Sequence, residues 1–141
     1  MAEALRYASV EIGDALPSLV CPPVTRVMLA LYCGASGDHN PLHVDSDFAR
    51  DAGLGDVIAH GMLVMAWMSR TLTAQVPQAA IRVFTTRFHA MTRVGDVVTC
   101  TAKILEKTID DDEPRVRVAV EARDQRGELK AAGDALIALP A

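Results

Sequence analysis

His43 stands five positions after Asp38 in the stretch "GASGDHNPLHVD", Gly34 to Asp45. A carboxylate and an imidazole that share one water can take a proton from it and return one elsewhere. Histidine, with an ordinary pKa of about 6.5, does this work near neutrality. Pro41 lies between the two residues, forbids a regular helix there and holds the segment extended, so a short bend can turn both side chains toward one point. The competing reading is architectural: Asp and Asn are common turn residues, and Asp38 can cap a turn and do nothing more.

A second group follows at His60-Gly61, where a long apolar run begins. If that run is a helix, Gly61 sits at its start, where backbone N–H groups lack partners and the helix dipole is positive. A carbonyl oxygen that gains negative charge during a reaction is held well in such a place. Ser69 lies eight residues on, about 12 Å along the axis. Gly61, Met65 and Ser69 then form one i, i+4, i+8 stripe, so glycine and serine are expected to face one pocket. The plainer alternatives are close packing of Gly61 against a sheet and a Ser69 hydroxyl bonded back to the Met65 carbonyl. Asp38 with His39, His43 and His60 also raises the question of a metal. The His39-x-x-x-His43 spacing suits two ligands only on a helix, which Pro41 prevents, and no metal is expected.

These residues need elements to hold them. The first half of the chain has helical character. Thr25 is a candidate N-cap for "RVMLALYC", with Gly34 and Gly37 breaking that helix. A second helix is expected from Asp47 to Gly53, and a third over Ile58 to Thr73, with Pro77 ending any continuation. Met62 to Met68 is apolar without interruption, and a helix apolar all round is buried rather than amphipathic. The second half reads as strands at Ile81 to Ala90, Val97 to Leu105, Arg115 to Arg123 and Leu129 to Leu139, and a further strand is expected before Pro22. In the third of these, Val116, Val118, Val120 and Ala122 face one way, and Arg115, Arg117, Glu121 and Arg123 the other. "DDDEP" and "DQRG" supply turn chemistry between strands, so the sheet should be largely antiparallel. The expected fold class is α+β, an antiparallel sheet curled around one long, wholly apolar helix.

The 141 residues suffice for one domain with a core of its own, and residues 1–141 are read as a single domain. Only 4% of residues are aromatic, so aliphatic side chains must build that core. The formal charge of −4 lacks the basic footprint of a nucleic-acid binder. Cys21, Cys33 and Cys100 have no CxxC spacing and read as reduced core thiols of a cytoplasmic protein. No signal peptide is visible at the N-terminus. The most apolar segment, Ile58 to Leu72, is too short to span a bilayer and is flanked by His60 and Arg70, so no membrane association is expected.

The conjunction of these features resembles a known family. The run "YCGASGDHNPLHVDSDFARDAGLGDVIAHGMLVMA" is similar to the (R)-specific enoyl-CoA hydratase motif of MaoC-like dehydratases: D-x-N-P-x-H, a polar or acidic residue two positions on, then an apolar-His-Gly-Met-Leu approach to the central helix. Asp38, Asn40, Pro41, His43, Asp45, His60, Gly61, Met62 and Leu63 meet that pattern. "YASVEIGDALP" and "RFHAMTRVGDVV" extend the resemblance over nearly the whole chain.

The resemblance implies a hotdog fold, a curved antiparallel sheet wrapped around a long buried helix, in subunits that pair as a homodimer or dimer of dimers. It also implies hydration of a trans-2-enoyl thioester or the reverse dehydration, by Asp38 and His43 gripping the water. Gly61 N–H would hold the thioester oxygen, Ser69 would line the site, Asn40 would hold the loop, and His60 would position that loop. No cofactor is implied beyond the CoA or acyl-carrier thioester of the substrate. His39 falls at a variable family position and reads as solvent-facing or pocket-rim, while His89 has no evident family counterpart. Met65, Trp67 and Met68 replace small residues of some members and imply a short or differently shaped acyl pocket. Arg82, Arg87 and Arg93 could meet the phosphates of CoA or an acidic carrier protein, or form a solvated strand face. A hotdog thioesterase is the nearest rival, but such enzymes place an acid on or beside the central helix, and Ile58 to Thr73 has none. A subunit that needs a heteromeric partner is the other alternative.

Overall fold

A computed structural model describes residues 5–141. Five strands, β1 (Ala15–Val20), β2 (Ile81–Phe88), β3 (Thr99–Asp110), β4 (Glu113–Arg123) and β5 (Leu129–Ala138), form one antiparallel sheet in the order β1-β3-β4-β5-β2. Three helices, α1 (Arg26–Ser36), α2 (Ser46–Asp51) and α3 (Gly61–Thr73), all precede β2 in the chain. The expected α+β architecture is found, with α3 packed into the curl of the sheet.

Alternation on β4 produces the core face as expected: Val116, Val118, Val120 and Ala122 are fully buried. Leu63, Val64, Trp67, Met68 and Leu72 of α3 are buried in the same hydrophobic cluster. The "DDDEP" turn is a two-residue hairpin in which Asp111 and Asp112 take φ values of 48° and 64°, and Asp110 pairs with Glu113. That left-handed pair matches the twist of the flanking strands, and Asp tolerates it better than most residues. Gly133 marks the tightest approach in the sheet, because a Cβ there would lie 1.8 Å from the Thr85 carbonyl oxygen of β2.

Several boundaries differ from expectation. Helix α1 continues through Gly34, and Gly37 ends it in the left-handed conformation at φ 75°, while Thr25 caps its start by accepting from Met28 N–H. Asp45, not Asp47, opens α2, its carboxylate accepting from the N–H groups of Asp47 and Phe48. Helix α3 begins at Gly61 rather than Ile58 because residues 58 and 59 spend their backbone groups elsewhere. Ile58 N–H donates to Leu42 O, Ala59 N–H donates to Thr92 O, and Ile58 O accepts from the His43 ring.

The apolar run Met62–Met68 of α3 is not wrapped all round. Met62 is 55% exposed, and Met65 and Ala66 are half-buried. This bare face adjoins β2, an edge strand whose Val83 and Phe88 are themselves about half exposed. Among the described residues no helix is long and apolar enough to cross a membrane. The three cysteines are buried and unpaired.

Candidate active site

The loop between α1 and α2 is built by its own side chains. Asp38 Oδ1 accepts from Asn40 N–H at 3.2 Å, and Asn40 Oδ1 accepts from Leu42 N–H at 3.0 Å, capping the short 3-10 turn Pro41–His43. Asp38 therefore is the turn cap of the architectural reading, yet that use takes only one carboxylate oxygen. The other, Oδ2, lies 3.9 Å from His43 Nε2. That gap is too long for a direct hydrogen bond, and one water can touch both groups. The Asp38 side chain is half exposed and that of His43 is 13% exposed, so the pair is open to solvent on the carboxylate side.

The tautomer of His43 follows from its second nitrogen. Nδ1 is 2.8 Å from Ile58 O, and a carbonyl only accepts, so Nδ1 carries the proton. In the neutral ring Nε2 is then a bare acceptor aimed toward Asp38. His60 stacks on this ring with centroids 3.8 Å apart and planes at 23°. His60 Nε2 donates to Asp38 O at 3.1 Å, lies 3.5 Å from Cys33 Sγ, and meets the Tyr32 ring edge-on at 4.7 Å. The same logic leaves His60 Nδ1 as an acceptor, and it is buried without a partner. Burial pushes the pKa of His60 below the ordinary histidine value, against the bond to Asp38 O and with the repulsion of a protonated His43. A neutral His60 suits its place, since a cation stacked on His43 would oppose protonation of the latter.

Helix α3 starts beside this pair. His60, its N-cap residue, makes no side-chain capping bond, so the positive end of the helix is left open. Gly61 and His43 line one recess of about 340 Å³ with Val64, Phe88, Thr92 and Lys130. A Cβ on Gly61 would meet the Phe88 ring at 3.2 Å. Ser69 is not in this recess. It lines a separate cleft of about 240 Å³ with Tyr32, Met65 and Phe84, and its hydroxyl donates to Ala66 O at 2.8 Å. Glycine and serine thus face different hollows in the single chain, contrary to the one-pocket expectation. Eight residues at 3.6 per turn leave Ser69 about 80° around the α3 surface from Gly61, which carries it to the bare face beside β2. His39 is exposed with Nδ1 on Gly37 O, and His89 is exposed on the rim of the recess.

Asp38, His43 and His60 each offer a ligand atom within 4.8 Å of the others. Their chemistry fits a metal poorly: the two imidazoles are stacked rather than convergent, and His60 Nε2 and His43 Nδ1 are engaged by backbone carbonyls.

Sequence reasoning missed Lys130. Its ammonium is 1% exposed and lies 2.5 Å from Glu128, 3.4 Å from Asp124 and 3.5 Å from Asp96, while donating to Met91 O at 2.8 Å. Burial works against its charge, but these acids more than compensate and hold its pKa above the ordinary lysine value. Asp124 is likewise held far below the usual carboxylate range: burial opposes this, and Arg126, the N–H groups of Glu128 and Arg126, and Lys130 outweigh it.

Residues 10–125 match the MaoC like domain. The chain belongs to this family. The Aeromonas caviae (R)-specific enoyl-CoA hydratase is 32% identical over 79% of this chain and 84% of that protein. A mitochondrial 3-hydroxyacyl-[acyl-carrier-protein] dehydratase of Arabidopsis thaliana is 33% identical over 62% of this chain and about half (52%) of its own length. The unliganded R-hydratase PhaJ1 of Pseudomonas aeruginosa superposes with a TM-score of 0.85 at 29% identity, covering 97% of this chain and 86% of that one. The fold of this MaoC-like chain is the hotdog, and its enzyme class is hydro-lyase.

Proposed function

We propose that this chain adds water across the C2=C3 bond of a trans-2-enoyl thioester to give the (R)-3-hydroxyacyl thioester, and runs the reverse dehydration. The observation that carries this reading is the gap of 3.9 Å between Asp38 Oδ2 and His43 Nε2, two acceptors with room for one water. A water donating one hydrogen to each directs its lone pairs away from both, toward the carbon it attacks. As the hydroxyl bonds to C3, the pair takes the other proton of the water and hands it to C2, so one water is consumed and the pair ends as it began. Asp38 and His43 act as one coupled unit in this step.

The thioester oxygen takes on negative charge as C3 is attacked. Gly61 N–H would hold it: the start of α3 has no side-chain cap and Gly61 lines the recess, and the absence of a side chain there would let the carbonyl approach. Asn40 keeps the loop in register and His60 sets the Asp38 backbone and the His43 ring. Ser69 serves the site only through its cleft beside β2. The bare face of α3 and the free edge of β2 support pairing of two copies along that side, which would enclose Ser69, Tyr32 and Met65.

CoA and acyl-carrier thioesters both satisfy this chemistry. The test is incubation of purified protein with crotonyl-CoA, loss of the enoyl-thioester absorbance and assignment of product stereochemistry. An (R)-3-hydroxybutyryl product supports the reading. An (S) product, or release of free CoA without hydration, overturns it.

A further inference from the structure

Beyond the reaction recess lies a second hollow of about 690 Å³, lined by His89, Ala90, Met91, Arg93, Arg126 and Glu128. The two recesses share His89, Ala90 and Met91, so the segment after β2 forms a common rim. The second hollow has a different character: polar and apolar surface share its lining about equally, and it carries two guanidinium groups fixed from behind. Arg126 reaches Asp124 through Nη2 at 2.9 Å and Nε at 3.3 Å, and the Asp124 side chain is fully buried. Arg93 donates through Nη1 to Leu54 O at 3.1 Å. Among the described residues, Arg126 Nη1 and Arg93 Nη2 have no acceptor, and both residues are exposed.

Charge alone does not decide what this hollow takes. Arg93, Arg126 and Lys130 are formally balanced by Asp96, Asp124 and Glu128. Their placement is asymmetric, however. Lys130 and two of the acids are buried, Glu128 is bound to Lys130, and the guanidiniums stand outward. Such a surface attracts no polyanion over long range, but it offers pre-oriented donors to a single compact dianion at contact distance.

We infer that Arg93 and Arg126, with His89 on the shared rim, form a subsite for the phosphate ester at the end of a pantetheine arm. This rests on the thioester reading of the neighbouring recess: an acyl group bound at Gly61 and His43 would send its arm out past Ala90 and Met91 into this hollow. CoA and the prosthetic group of a carrier protein share that phosphate. Arg82, by contrast, is spent on Glu113 and on Ala79 O.

The test compares crotonyl-pantetheine, crotonyl-4′-phosphopantetheine and crotonyl-CoA in wild-type protein, Arg93→Ala and Arg126→Ala, each checked for an unchanged fold. The expected result is a drop in kcat/KM of about tenfold or more, mostly in KM, for both phosphorylated substrates, and less than twofold for the pantetheine thioester. A loss equal across all three substrates, or one confined to crotonyl-CoA, overturns the assignment; the latter would place the nucleotide phosphates there instead. Calorimetric binding of free 4′-phosphopantetheine against pantetheine tests the subsite apart from turnover. Arginine-dependent binding of the phosphorylated arm by a protein that hydrates nothing would keep the subsite and sink the hydratase reading. Equal binding of both arms would sink the subsite alone.

Discussion

Replacing Lys130 by Met tests the buried ionic cluster. The ammonium is 1% exposed, and the Asp124 and Asp96 side chains it faces are 0% and 6% exposed. Breaking a buried pair from one side costs about 3–5 kcal/mol, because the remaining charge is left desolvated. Arg126 still reaches Asp124 at 2.9 Å but Asp96 only at 3.5 Å, so the lower end of that range applies. A loss of about 3 kcal/mol from a typical total of ~5–15 kcal/mol should lower Tm by roughly 10 °C. Urea and thermal unfolding at pH 7 measure it. The pH dependence carries a sign. In wild type, the depressed Asp124 pKa stabilises the fold above the unfolded value near 4, and that contribution fades only as pH falls through the lower folded value. In the variant, Asp124 loses one of the groups that hold its carboxyl down, so less of its stabilisation remains to be lost on acidification. The gap between the two proteins should therefore narrow as pH falls below about 4, and Lys130→Met/Asp96→Asn should recover about 1 kcal/mol or more. A cost below about 1 kcal/mol, or a gap that widens on acidification, would refute the reasoning.

Gly133→Ala should abolish pairing of β2 with β5 or the fold itself, since its Cβ would lie 1.8 Å from Thr85 O; recovery of folded protein with wild-type unfolding would contradict this. Gly61→Ala should fold, because the half-exposed Phe88 ring at 3.2 Å can give way, yet lose on the order of tenfold in kcat/KM as the methyl enters the recess. The depressed His60 pKa means that the unfolded chain binds the proton first as pH falls below about 6.5. Wild type should thus lose more stability between pH 7.5 and 5.5 than His60→Gln, and parallel losses in urea titrations would count against a neutral, buried His60.

Local patterns in the sequence carried most of the architecture. The alternation at Val116 to Ala122 and the "DDDEP" turn are local signals, and both hold in the structure. The turn of the loop was legible for the same reason: Asp38, Asn40 and Leu42 are near neighbours, and the hydrogen bonds that shape it each span two residues. What failed was long-range. The start of α3 depends on Leu42, His43 and Thr92, whose bonds to residues 58 and 59 no window around Ile58 contains. Lys130 was invisible because a lysine in a strand ordinarily points to solvent, and neither Met91 nor Asp96, both in the segment before β3, is near it in sequence. The bare face of α3 shows that an uninterrupted apolar run specifies burial without saying whether the same chain provides the cover.

The most direct measurement is turnover of crotonyl-CoA by Asp38→Asn and His43→Gln, each verified as folded. The water-sharing pair predicts a fall in kcat of about 10²–10⁴ in each variant, with the double variant hardly worse than either single one. Either variant turning over within tenfold of wild type would contradict the account.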